Sequence, residues 1–269
     1  VTTFRLLEQT SRYSRFAQVT VEVAASSRPG VEVLADASDE HRREAELGAQ
    51  WALHGRSEAA KVTVTQVAVT ECDTGVGDVY EATAHAVWQA LRVEHQVPYV
   101  GFSDPSMVEA WLTSICGRRL EAVTEARHWF EGRREPDAES LLHAWLFFEH
   151  TGPIALHGRG DQFLLSKKDP YRSYDMDEYG QTRVGPALSP DVLSSFVGAR
   201  LSDGAAILGH DGDAVCAGLV LRFGNDDLVV GALADEWVLS AGSVPTSAAQ
   251  VWAVRPFVGG SLGTGRRPA

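Results

Sequence analysis

A chain of 269 residues with 44% hydrophobic and 22% charged residues has ordinary globular composition, which excludes disorder or collagen-like repetition as a description of the whole. Its 36 acidic and 24 basic residues leave a net charge of -12, which argues against a protein that coats nucleic acid without selectivity but leaves room for a local basic patch. No apolar run approaches the ~18 residues that span a bilayer. The opening residues lack the pattern of a signal peptide, and Cys72, Cys116 and Cys216 fit no CxxC spacing, so the expectation is a cytoplasmic chain with free thiols and no membrane.

Residues 18–23 alternate strictly. Val19, Val21 and Val23 fall on one face and Gln18, Thr20 and Glu22 on the other, the period of a half-buried strand. A turn through Arg28-Pro29-Gly30 leads to a short strand at Val31 and Val33. Ser38 is placed to cap a helix with Asp39 and Glu40 in its first turn. Ala45, Gly48, Ala49, Ala52 and Leu53 give that helix a small-residue face suited to lie close to a sheet, and Gly55 marks its end. In the strand over residues 61–70, Val62 and Val64 share one parity and Val67 and Val69 the other, which predicts a bulge near Thr65-Gln66. Asp78 and Glu81 read as the capping box of a helix reaching Leu91, with a small stripe at Val79, Ala82, Ala86 and Ala90. The order suggests an α/β sandwich with helices on one face of a small sheet.

These residues resemble a family. Glu8-Gln9-Thr10-Ser11-Arg12-Tyr13-Ser14-Arg15-Phe16-Ala17, the strand and Arg28-Pro29-Gly30 turn after it, the helix with Gly48 and Leu53, the Val-rich strand, and Asp73-Thr74 ahead of an Ala-rich helix resemble domain IV of elongation factor G. The resemblance covers about residues 8–91. It implies a fold like the second domain of ribosomal protein S5 and a role in contacting the ribosome or structured RNA. Ser11, Arg12 and Ser14 stand where the family has glycines, and Gly75-Val76-Gly77 reads as an insertion. The phosphate-cradling GxxxxGK[ST] loop is absent from the chain, so no GTPase activity is expected.

Further along, Asp104 is placed to cap a helix that starts at Pro105. Met107, Trp111 and Ile115 are spaced by four, and Cys116, Leu120 and Val123 extend the stripe. After a break at residues 132–136, Asp137 opens a second helix with Leu141, Trp145 and Phe148 on one face. These patterns predict a helical connector over residues 101–150. Short apolar runs then recur at residues 154–156, 162–165, 205–208, 214–223, 228–233 and 237–239. Asp203-Gly204, Asp211-Gly212 and Gly224-Asn225-Asp226 are hairpin signals between them. Residues 171–190 read as a long polar loop and 259–269 as a flexible tail. The expected fold class is α+β: an S5 domain 2-like α/β sandwich over residues 1–100, the connector over 101–150, and a mostly antiparallel β-rich unit over 151–258.

Several clusters could carry chemistry. His143, His150 and His157, spaced by seven, suggest either a three-histidine metal site or unrelated structural histidines. Two helical turns separate the first pair, which favours the structural reading. Asp169, Asp175, Asp177 and Glu178 could offer oxygen ligands to a cation but fit a solvated loop better. Residues 73–78 and His210-Asp211-Gly212-Asp213 read as turns rather than an anion cradle or a catalytic dyad. Arg12, Tyr13, Arg15 and Arg28 combine cations with an aromatic ring, and the resemblance brings their two segments near each other. Arginine forks pair with phosphate and tyrosine stacks on bases, so these four are the candidate RNA-binding residues. No HExxH or GxGxxG motif occurs, and no catalytic residue, metal or cofactor is assigned. The expected function is a non-catalytic interaction protein that contacts the ribosome or structured RNA. The alternatives are an acidic protein-binding or inhibitory protein, and a small-molecule enzyme with a site between its domains.

Overall fold

The computed structural model describes residues 1–9, 14–54, 56, 59–93, 100–209 and 216–256. The chain divides into two compact units, Val1–Phe102 and Ser103–Ala269. It is a mixed α+β protein whose sheets are mostly antiparallel.

Unit 1 contains β1 (Thr2–Gln9), β2 (Ser14–Ala25), β3 (Gly30–Val33), helix α1 (Asp39–Leu53), β4 (Ala60–Ala68) and helix α2 (Asp78–Ala90). The sheet order is β1-β2-β4-β3, antiparallel except where β3 runs parallel to β4. The alternation in β2 does what its period requires. Ala17, Val19 and Val21 are fully buried, and the register Leu6↔Ala17, Phe4↔Val19 puts the even residues of β1 on the same face. The bulge falls in β4. Thr20 pairs with Gln66 and Val21 with Val64, so Thr65 is the extra residue, and it brings Val62, Val64 and Val67 to one face despite their mixed parity.

The Ser38 hydroxyl caps α1 by accepting from the His41 N–H at 3.2 Å. Ala45, Gly48, Ala49 and Ala52 are buried as expected, but the closest approach is to α2 rather than to the sheet. A Cβ at Gly48 would collide with the backbone carbonyl of Tyr80. Gly55 lies outside the described residues. The capping box at α2 does not form. Gly77, at φ +86°, is the N-cap, and the Asp78 and Glu81 carboxylates turn to Arg15 instead. Glu44 of α1 takes over, accepting from the N–H groups of Gly77 (2.9 Å) and Tyr80 (3.3 Å). A buried guanidinium outcompetes two backbone amides for a carboxylate because it brings a full charge.

Unit 2 begins with α3 (Pro105–Ile115), whose N-terminus Asp104 caps by accepting from Ser106 (3.0 Å) and Met107 (3.4 Å). The predicted helical connector stops there. Cys116 closes the helix, the stripe expected to continue through Leu120 and Val123 is instead strand β5 (Leu120–Trp129), and the expected second helix is a 3-10 turn at Asp137–Ser140 followed by strand β6 (Leu141–Phe148). The run Leu141–Phe148 is apolar on both faces because β6 sits inside a sheet, where spacing alone does not distinguish helix from strand. It joins β7 (Pro153–Arg159), β8 (Gln162–Ser166), β9 (Tyr174–Asp175) and β10 (Gln181–Pro186) in the order β8-β7-β6-β5-β10-β9. The expected loop over residues 171–190 therefore holds two strands. β10 reads as loop because its sequence is polar, yet all of it pairs with residues 124–129 of β5.

The second sheet, β14-β13-β12-β11-β15, contains β11 (Asp203–Gly209), β12 (Cys216–Phe223), β13 (Asp226–Leu233), β14 (Glu236–Ala241) and β15 (Trp252–Pro256), with a short helix α4 (Thr246–Ala249) before the last strand. Gly224-Asn225 turns β12 into β13 as read. Asp203-Gly204 instead opens β11, and Asp211-Gly212 and the 259–269 tail lie outside the described residues. β7 and β8 pack on β12 and β13, where Gly158 admits the Ala232 side chain and the Phe163 ring meets Trp237 edge-on at 6.0 Å. No described helix is long and apolar enough to cross a membrane.

Candidate functional site

Of the four candidate RNA-binding residues, the two that are described, Arg15 and Arg28, do not share a patch. Arg12 and Tyr13 lie outside the described residues. Arg15 is 2% exposed, on the helix-facing side of β2. Its Nε donates to Asp78 Oδ1 at 2.9 Å, one Nη to Glu81 Oε2 at 2.8 Å and the other to Glu8 Oε2 at 3.2 Å. Burial by itself would lower its pKa, but Glu81, Asp78 and Glu8 more than offset this and hold it above its ordinary value. Arg15 is therefore a structural cation that ties β1 and β2 to α2, and its assignment to RNA is withdrawn. Its parity could have revealed this, since it falls on the same side of β2 as Ala17, Val19 and Val21. Arg28 is exposed, but it follows the far end of β2. At ~3.3 Å per residue the strand is roughly 36 Å long, which separates Arg28 from the start of β2 at Ser14.

What the sequence did not single out is the other face of this sheet. Arg5 pairs with Gln18, Leu7 with Phe16 and Thr3 with Thr20, all on the side away from the helices. The Arg5 guanidinium lies over the half-buried Phe16 ring, 5.3 Å from its centroid. Leu7 is 62% exposed, and Thr20 bonds to Thr3 at 2.9 Å and Gln66 at 3.4 Å. The result is a polar, aromatic-bearing face that runs along β1 and β2. Residues 73–78 are a structural turn, as read: the Gly75 N–H goes to Asp78 Oδ2 (2.7 Å) and the Gly77 N–H to Glu44.

In unit 2 the histidines separate. His150 is exposed in the turn between β6 and β7 and stands apart. The register Trp145↔Ala155, continued by two residues, brings His143 opposite His157. His143 Nε2 and His157 Nδ1 are 2.8 Å apart, and His143 Nδ1 bonds to the Tyr171 hydroxyl at 2.7 Å. The two nitrogens face each other, so they share a proton rather than a metal. Among the described residues no group of three His, Cys, Asp or Glu side chains is placed to hold a metal ion. The acidic loop is likewise internally bonded at one point, where Asp175 accepts from the Asp177 N–H at 3.0 Å. Burial, reinforced by His157, pushes His143 down to about 4, and burial with Arg159 lowers His157. Both imidazoles are thus neutral at pH 7. Tyr171 stacks edge-on against Trp145 at 5.1 Å and holds the segment before β9 onto this outer face.

His210 and Asp211 lie outside the described residues. Cys72 and Cys116 are exposed thiols, and Cys216 is a buried one. No protein-family model and no curated protein matches the chain.

Proposed function

We propose that the chain is a non-catalytic binding protein whose unit 1 contacts structured RNA, the ribosome included, through the open face of its sheet. The observation that carries this reading is the Arg5 guanidinium held over Phe16 on a sheet face that the helices leave uncovered. An arginine in that position can pair with a phosphate while the ring edge and Gln18 meet a base. Two further features support it. The sheet β1-β2-β4-β3 packs α1 and α2 on one side, a two-layer arrangement compatible with the resemblance to domain IV of elongation factor G. In the sequence, Arg12 and Tyr13 lie between β1 and β2, the two strands that carry this face. Exposed thiols at Cys72 and Cys116 suit a reducing cytoplasm.

The net charge of -12 opposes approach to RNA, so binding depends on the local patch and weakens steeply with salt. The test is the affinity of the full chain for a structured ribosomal RNA fragment, beside an Arg5→Ala/Phe16→Ala variant whose fold is verified by circular dichroism. Loss of stacking and of one phosphate contact should weaken binding at least ten-fold. Equal affinity of wild type and variant, or no wild-type binding at low salt, removes the reading.

A further inference from the structure

A cleft of about 170 Å³ opens in unit 2 beside the β5–β10 pair, on the opposite side of those strands from the histidines. Its floor is a chain of buried charges. Arg127 grips Glu125 through Nε (2.7 Å) and Nη2 (2.9 Å), with its remaining nitrogen on Ser140 (3.0 Å). Arg134 forks onto both oxygens of Asp191, which also lies 3.6 Å from Arg127. Glu125, Arg127 and Asp191 are each 5% exposed or less. Both carboxylates face arginine forks, so the floor is closed and neutral and offers a cationic ligand little.

Arg183 on the wall differs. It stands directly opposite Arg127 across the β10–β5 ladder, and like charges in that relation repel. Glu125 neutralises Arg127, but among the described residues Arg183 forms no hydrogen bond or ion pair. Its guanidinium carbon instead lies over the Trp129 indole, 4.0 Å from the ring centroid. A cation held over a ring still has its N–H donors available to an anion, because the ring accepts none of them as a conventional hydrogen bond. Pro186 and Leu188 supply an apolar wall beside it.

We infer that this cleft binds a small organic carboxylate, with Arg183 as the anion anchor and Trp129 as the platform that orients it. The single planar fork matches a carboxylate's two oxygens, whereas a phosphate dianion calls for more donors. At about 170 Å³ the cleft is smaller than the ~300–1,000 Å³ of drug-sized sites, so its ligand is small. A small aromatic acid such as benzoate would set its ring against Pro186 and Leu188.

The probe is benzoate, titrated calorimetrically into the full chain, with benzamide as its uncharged isostere and inorganic phosphate as the competing anion. Saturable benzoate binding is expected, with benzamide at least ten-fold weaker and phosphate weaker than benzoate. Arg183→Gln should cost at least ten-fold with an unchanged circular dichroism spectrum, since the side chain is exposed, and Arg183→Lys should fall between. Absence of benzoate binding, equal binding of benzamide, tighter binding of phosphate, or an Arg183→Gln variant that binds like wild type would each overturn the assignment.

Discussion

Unit 1 and unit 2 each place a nitrogen base inside a sheet, and they settle its charge in opposite ways. Arg15 keeps its proton, and the fold supplies Asp78, Glu81 and Glu8 around it. His143 gives its proton up and is satisfied by neutral partners, His157 and Tyr171. The difference follows from chemistry. A guanidinium is protonated at any accessible pH, so its burial demands carboxylates, whereas an imidazole can escape the cost of desolvation by staying neutral. The first arrangement is strong but breaks badly when one member is lost, and the second is sensitive to acid.

The largest expected effect lies at Arg15. Arg15→Ala leaves Asp78 and Glu81 buried without their counter-ion, which should cost about 3–5 kcal/mol in a urea titration. A loss below ~1 kcal/mol would mean that water reaches the cluster and that it behaves as a surface ion pair. Next comes the helix contact that carries the Glu44 cap. Ala49 is fully buried, and Ala49→Leu should overpack α1 by ~1–3 kcal/mol. An unchanged unfolding midpoint and slope would contradict that burial.

The histidine pair sharpens the comparison through pH. The folded pKa of His143 is about 4 against an ordinary 6.5, so between those values the unfolded chain binds more protons. Stability is therefore full above pH ~6.5 and declines as pH falls toward 4, by about 1–2 kcal/mol at pH 5 after allowance for its partial exposure to solvent. His143→Gln should flatten this part of the pH profile relative to wild type. A parallel decline in both proteins would place the acid sensitivity elsewhere.

The smallest effect is on reactivity alone. Burial pushes the Cys216 thiol up to about 12, and its Sγ donates to the Gly218 carbonyl at 3.0 Å. Iodoacetamide should label Cys72 and Cys116 in the native protein and reach Cys216 only in denaturant. Labelling of Cys216 in the native state, or a disulfide, would contradict this.

Much of unit 1 was legible because its signals are local. The alternation of β2, the parity change that marks the bulge at Thr65, and the Ser38 cap each need fewer than ten residues. The Asp78 box misled because the competitor for its carboxylate, Arg15, is 63 positions away. In unit 2 the caps and turns at Asp104 and Gly224-Asn225 were equally readable. The strands β5 and β6 were not, since Leu141, Trp145 and Phe148 fit a helical stripe and only partners in β7 and β10 decide otherwise. The same holds for the sites. His143 and His157 meet only through the β6–β7 register, and Arg183 meets Trp129 only because a polar segment became a strand.

The central claim, that unit 1 binds RNA through the Arg5–Phe16 face while Arg15 is spent on the fold, is tested most directly by ribosome co-sedimentation of the full chain. At about 50 mM salt wild type should pellet with ribosomes and at about 200 mM it should be released. The Arg5→Ala/Phe16→Ala variant should stay in the supernatant at both, and Arg28→Ala should behave as wild type. Failure of wild type to pellet at low salt, or pelleting of the folded double variant to the same extent, would contradict the account.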